Sequence, residues 1–270
     1  MSLVMAQCKR QMIRDGADAV PRTCPKCGLG KCRDGLPVWH EMDRPKPAPA
    51  SPWLQTRHPE RARRKFDLMN PTAAMVSLTT MAKVLARVAR FAGHTEGAEI
   101  YSVAQHSVEG CRAILRDGHG QDVASAFLMH DGHEYLMGDW PTPVQQALSK
   151  HAELDNGTPA AGECVKRAIK SLKNSLDRPI HEAAGLAWPL PEHVRKIVKE
   201  YDLRMGRTER DARMAEPPAA WDDIYSNAEP VKGCDLSPWP AAYAESMFAL
   251  WCFRTGISVF GDSAAEYVND

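Results

Sequence analysis

The sequence contains no apolar run long enough to span a bilayer, and its opening residues, MSLVMAQCKR, lack the apolar centre of a secretory signal. Those absences set aside a helical membrane protein and lead to the expectation of a cytoplasmic one. No charge of either sign prevails either: 34 Lys and Arg face 34 Asp and Glu, so there is no global electrostatic case for nucleic acid, and any such contact would have to be local. Strand-like alternation of β-branched residues is scarce and no internal repeat is present. The periodicity that does occur, apolar residues three and four apart, predicts an all-α helical bundle. Eight cysteines without a secretory signal are expected as reduced thiols or metal ligands, not as a disulfide framework.

Half of those cysteines lie within the first 32 residues. Cys24, Cys27 and Cys32 in TCPKCGLGKC have the tight spacing of a zinc knuckle, with Cys8 as the fourth ligand and His40 as its rival. A second CxxC is missing, so residues 1–44 are equally read as a tail with free thiols. The Pro-rich stretch DRPKPAPASP should be extended and unable to pack, and with the basic run RHPERARRK it makes residues 45–65 a linker. The basic run offers a local nucleic-acid contact, although a solvated charged face is the commoner use of such a pattern.

The richest stretch is MHDGHEYLMGD, residues 129–139. Residues 121–131 read as a helix with Val123 and Phe127 on its apolar stripe, and at helical spacing His130, Asp131 and Glu134 continue that stripe. Inward-facing carboxylates and an imidazole need a compensating partner, and a divalent cation is a natural one. Gly132 is placed to end the helix there. His106, in the helix SVAQHSVEGCRAIL, falls at the edge of its stripe near Gly110 and Ala113, which would admit a neighbouring helix closely. Asp202, in PEHVRKIVKEYDLRMGRTERD, borders a stripe of Val194, Ile197, Val198, Tyr201 and Met205. Two imidazoles and two carboxylates make a mixed site suited to Mn, Co, Zn or Mg, without choosing among them. A further helix is predicted over Leu78 to Phe91, ending in a charged Arg90. After EPPAAW breaks the pattern, residues 216–270 are expected to carry a helix within 238–254 that packs back on the bundle or meets a partner.

The order His106, His130-Asp131, Asp202 resembles the signature of the HD-domain metal-dependent phosphohydrolases. The fragments FDLMNP, YSVAQHS, HDxxE followed by GDWPTP, and KEYD followed by RTERD are similar to bacterial 5′-deoxynucleotidases and their phage relatives, which include dATP triphosphohydrolases. The likeness covers residues 66–215. It implies one divalent metal held by His106, His130, Asp131 and Asp202, acid/base work by Glu134, and a supporting Asp139. It also implies phosphate contact from Arg90 and Lys199, with Phe91 where relatives place a Trp against the sugar. One position departs: relatives often read PTPVK where this chain has Gln145. The implied activity is hydrolysis of deoxynucleoside 5′-monophosphates, with release of triphosphate from a deoxynucleoside triphosphate as the alternative. A nucleic-acid-associated binding module with a vestigial HD site is a reading from another class. A homodimer is a weaker expectation.

Overall fold

The computed structural model describes residues 51–57, 64–219, 221 and 223–259. Cys8, Cys24, Cys27, Cys32 and His40, and with them the expected zinc knuckle, lie outside the described residues, as does most of the basic run. The described residues belong to one unit that starts at Ser51.

The structure is mostly helical, as the periodicity predicts, with one short ribbon added to the all-α expectation; the first strand falls within the span 45–65 read as a linker. Strand β1 (Trp53–Thr56) pairs antiparallel with β2 (Arg64–Asp67), setting Leu54 opposite Phe66. Phe66 is wholly buried and meets Tyr135 edge-on at 6.3 Å. Burial of that aromatic, with Leu54 packed on the core and the Thr80 hydroxyl donating to the Arg57 carbonyl (2.8 Å), holds the ribbon to the helices.

Helix α1 (Leu78–Leu85) begins where Ser77 Oγ accepts the Thr80 N–H (3.2 Å), and it buries Leu78, Met81, Ala82 and Leu85. The apolar spacing that predicts a helix as far as Phe91 is overridden by pairing with distant chain. Arg90 N–H donates to the Tyr101 carbonyl (2.9 Å), and Val103 N–H donates to that of Val88 (3.0 Å), so Ala89 runs extended before a 3-10 turn over Arg90–Gly93. Phe91 and Ala92 then take left-handed conformations (φ 53° and 51°), which side chains with a Cβ adopt at a cost.

Helix α2 (Val103–Arg116), capped by Ser102 Oγ on the Gln105 N–H, touches α1, α3 (Gln121–Met129), α7 (Glu192–Arg213) and α9 (Ala241–Arg254). Surrounded in this way, it has no solvent side from Val103 to Cys111, and His106 is fully buried instead of lying at the edge of a stripe. Gln105 shows how such a helix carries polar groups. Its Nε2 donates to the carbonyls of Asp235 and Ser237, and its Oε1 accepts the Trp239 N–H, fixing the chain that leads into α9. On α9, Ala244, Phe248 and Cys252 are buried at a spacing of four, and the helix lies on α1, α2 and α3.

At Gly110 α2 and α3 meet closely: a Cβ there would lie 2.1 Å from Phe127 Cε1. Phe127 is itself buried, and its ring lies 4.4 Å from that of His130 and 5.6 Å from that of His106. Gly110→Ala should therefore cost about 1–3 kcal/mol through overpacking. A thermal or urea unfolding midpoint equal to that of the parent chain would contradict this close approach.

Helix α3 ends at Met129, with His130 at its C-cap, two residues short of the expected end. Gly132 sits in the following turn, where a Cβ would press on the Met129 carbonyl (2.9 Å) and Ile180 Cγ2 (3.0 Å). The short α4 (Glu134–Met137) follows, and then the hairpin of α5 (Thr142–Asn156) and α6 (Pro159–Ala183), turned at the left-handed Gly157. The short α8 (Asp223–Ser226) lies on α7. Among the described residues no helix is long and apolar enough to cross a membrane.

Candidate metal centre

Three elements deliver four side chains to one point. His106 comes from the middle of α2, His130 and Asp131 from the end of α3, and Asp202 from α7. The two imidazole Nε2 atoms are 3.4 Å apart. His130 Nε2 is 3.1 Å from Asp131 Oδ2 and 3.6 Å from Asp202 Oδ1, while His106 Nε2 is 3.7 and 3.9 Å from the same oxygens. All four candidate ligand atoms fall within 4.8 Å of one another, so the group could hold a metal ion. Side-chain exposure rises from 0% at His106 through 10% and 16% to 25% at Asp202, so the group opens on its α7 side.

The second ring nitrogens decide what the convergent atoms can do. His106 Nδ1 faces Glu209 Oε1 at 2.7 Å, and His130 Nδ1 faces the Phe127 carbonyl at 2.6 Å. Both partners only accept, so each Nδ1 carries a proton, and on a neutral ring Nε2 presents a lone pair inward. Two lone pairs and two carboxylate oxygens meeting at this distance require positive charge among them. That donor set fits a divalent cation, and the outward hydrogen bonds are those that orient metal-binding imidazoles.

Protons show the same demand. Burial alone would lower the His130 imidazole, but Asp131 and Asp202 override it and hold its pKa well above the ordinary value. The Asp131 and Asp202 carboxyls, against the opposing effect of burial, are held below theirs by His130. A metal must displace that His130 proton, so its affinity should rise with pH, by up to about tenfold per unit while the imidazole is protonated. Calorimetric titration with Mn2+ or Zn2+ at pH 6 and pH 8 measures it; equal affinities at the two values would rule out the competition.

Around the group lie the other residues singled out from the sequence. The Arg90 side chain is 12% exposed and is no solvated helix end: its Nε and Nη2 donate to Glu209 Oε2 (3.2 and 3.0 Å), and Nη1 reaches Asp131 Oδ2 (3.4 Å). Glu134 is buried although the helix breaks before it, and its Oε2 has no hydrogen-bond partner among the described residues. Burial, then the charges of Asp131 and Asp139, push its carboxyl well above the usual range. Asp139 is half-buried and likewise raised by burial, against the pull of Arg90. Lys199 Nζ donates to Asp202 Oδ2 (2.9 Å). Phe91 faces Trp221 at 6.3 Å. Gln145 is turned onto its own loop, donating to the Trp140 carbonyl (2.6 Å).

Two features here have no counterpart in the sequence expectations. Glu209, fully buried, joins His106 to Arg90; its place seven residues after Asp202, two turns along α7, is the signal that could have found it. His133, held through Nδ1 by Asp177 Oδ1 at 2.8 Å, comes with Asp131 and Glu134 into a second group whose ligand atoms lie within 4.8 Å of one another.

Fold and site together define a mostly helical protein with a buried cluster of histidines and aspartates capable of holding a metal. The chain is 33% identical over 171 residues to an uncharacterized protein of Rhodobacter capsulatus, an alignment that covers 62% of this chain and 78% of that one. The chain belongs to the same family as that protein. No protein-family model matches it.

Proposed function

We propose that the protein is a metal-dependent phosphohydrolase that cleaves the 5′-phosphoester bond of a deoxynucleotide, in the manner of the HD-domain enzymes its sequence resembles. The observation that carries this reading is the convergence of His106, His130, Asp131 and Asp202 beside a buried Glu134, whose carboxyl is held above the usual range, and a buried, charged Arg90. A divalent ion such as Mn, Co, Zn or Mg, held by the four ligands, would supply positive charge to a phosphoryl oxygen and acidify water. Arg90, already oriented by Glu209, offsets charge that develops on the phosphoryl group, and Lys199, held by Asp202, adds a cation at the open edge. Glu134 gives its proton from Oε2 to the departing O5′ of the sugar, a transfer suited to a carboxyl whose pKa is raised. Asp139 keeps Arg90 and Glu134 in one electrostatic unit, and Phe91 offers a flat apolar surface to the sugar.

Deoxynucleoside monophosphates and triphosphates both carry this bond, and hydrolysis of either frees the nucleoside. The monophosphate is the substrate expected from sequence, and the triphosphate is its alternative. Incubation of the metal-loaded protein with panels of both, with nucleoside, phosphate and tripolyphosphate resolved by chromatography, tests the reading. Nucleoside should appear with at least one of Mn2+, Co2+, Mg2+ or Zn2+; a complete lack of turnover with all four would end it.

A further inference from the structure

The metal group opens toward α7, and the face of that helix which carries Asp202 continues into an arc of aromatic rings. Gly206 and Arg210 follow Asp202 at successive intervals of four residues, so the three lie along one face. Tyr225 of α8 packs at Gly206, where a Cβ would lie 3.2 Å from its Cε1. Trp221, just before α8, lies against Arg210, whose guanidinium carbon is 5.2 Å from the ring centroid. Arg210 is itself fixed by Asp211, which accepts from its Nε (2.8 Å) and Nη2 (2.6 Å). Trp221 and Tyr225 meet edge-on at 6.1 Å.

Both ends of the arc return to the metal group. At one end Trp221 meets Phe91 at 6.3 Å, the Phe91 ring lies 5.6 Å from the Arg90 guanidinium, and Arg90 Nη1 reaches Asp131 Oδ2 (3.4 Å). At the other, burial opposes the Lys199 charge, but Asp202 and then Tyr225 raise the ammonium pKa, so Tyr225 lies near the lysine that Asp202 holds. The left-handed backbone of Phe91 is a strain that persists only where the surroundings fix it, and here it sets the ring beside Trp221. Phe91, Trp221 and Tyr225 are each half-buried. Among the described residues Arg210 is the cation over Trp221, and no ring stacks parallel to it. Aromatic area left partly open beside a polar centre is area that a flat ligand can cover.

We propose that Trp221, with Phe91 and Tyr225 beside it, receives the nucleobase of the substrate, so that the protein selects nucleotides over sugar phosphates that lack a base. The proposal rests on the phosphohydrolase reading above and names what lies beyond the phosphate. A deoxynucleotide with its phosphorus at the four ligands and its sugar at Phe91 carries its base onward along the same arc, to Trp221. Arg210 covers one face of the indole and leaves the other for the base. Because every base has a flat π surface, stacking separates a nucleotide from a bare sugar phosphate without choosing among bases.

Deoxyadenosine 5′-monophosphate and 2-deoxyribose 5-phosphate share the scissile bond and differ in the base, so the ratio of their kcat/KM values reads the aromatic wall directly. Wild-type protein should favour the nucleotide by about tenfold or more, and Trp221→Ala should lower that ratio by about tenfold. Trp221→Phe, which keeps a flat ring, should retain most of it. A second reading needs no turnover and no alanine variant: deoxyadenosine should quench the tryptophan fluorescence of the wild type, and Trp221→Phe should lose that quenching. Equal kcat/KM for the two substrates, a ratio that Trp221→Ala leaves in place, or quenching that does not depend on Trp221 would overturn the base site and leave the phosphohydrolase reading standing. Absence of turnover across the deoxynucleotide panel, together with quenching that does depend on Trp221, would do the reverse, removing the chemistry and retaining the aromatic site.

Discussion

Asp131→Asn is expected to release the metal and to lower turnover of any deoxynucleotide by roughly 1000-fold or more. Asp131 Oδ2 is the hub of the centre, 3.1 Å from His130 Nε2, 3.7 Å from His106 Nε2 and 3.4 Å from Arg90 Nη1. Asparagine preserves the volume but removes the charge that all three groups face. His130 would also lose the foremost of the groups that hold its proton, so its pKa should fall toward the ordinary imidazole value. Metal content after gel filtration, read by elemental mass spectrometry beside a turnover assay, checks both consequences. Retention of a full equivalent of metal by the variant would remove Asp131 from the ligand set.

The second large effect is expected away from the ligands. Glu209→Gln should destabilise the fold by about 3–5 kcal/mol, because Arg90 would be left buried without its principal counter-charge. It should also weaken metal binding by about 10–100-fold, because His106 would lose the carboxylate that orients its ring. Burial opposes ionisation of Glu209, yet His106 and Arg90 together hold its carboxyl below the usual range. Its contribution to stability is therefore present above the ordinary carboxylate pKa and fades as acid titrates it. Urea unfolding at pH 7 and a metal titration of the same variant measure the two effects separately. An unchanged unfolding midpoint would show that Arg90 finds another partner.

His106, His130, Asp131 and Asp202 were legible because each ligand type occurs beside an apolar helical stripe, and a helix turns such spacing into direction. Gly110 was legible for a similar reason, since only a small residue there admits Phe127. The end of α1 was not. Val88 and Ala89 keep the apolar spacing of the helix, but the hydrogen bonds that decide their conformation come from residues 101–103, which no local pattern reveals. Glu209 was hidden among the alternating charges of α7, and its meaning depends on Arg90, 119 residues earlier in the chain. The strand WLQT has too few apolar positions to stand out, and its partner Phe66 is needed to explain it.

The α5–α6 hairpin enters the chain between Asp131 and Asp202 without supplying any of the four central ligands. Its outer turns can vary in length and charge while His106, His130, Asp131 and Asp202 stay where α2, α3 and α7 hold them; Leu176, Asp177 and Ile180 tie its inner end to the core and to His133. An engineer who wishes to alter the surface beside the centre therefore has the exposed turns around Gly157 in which to work.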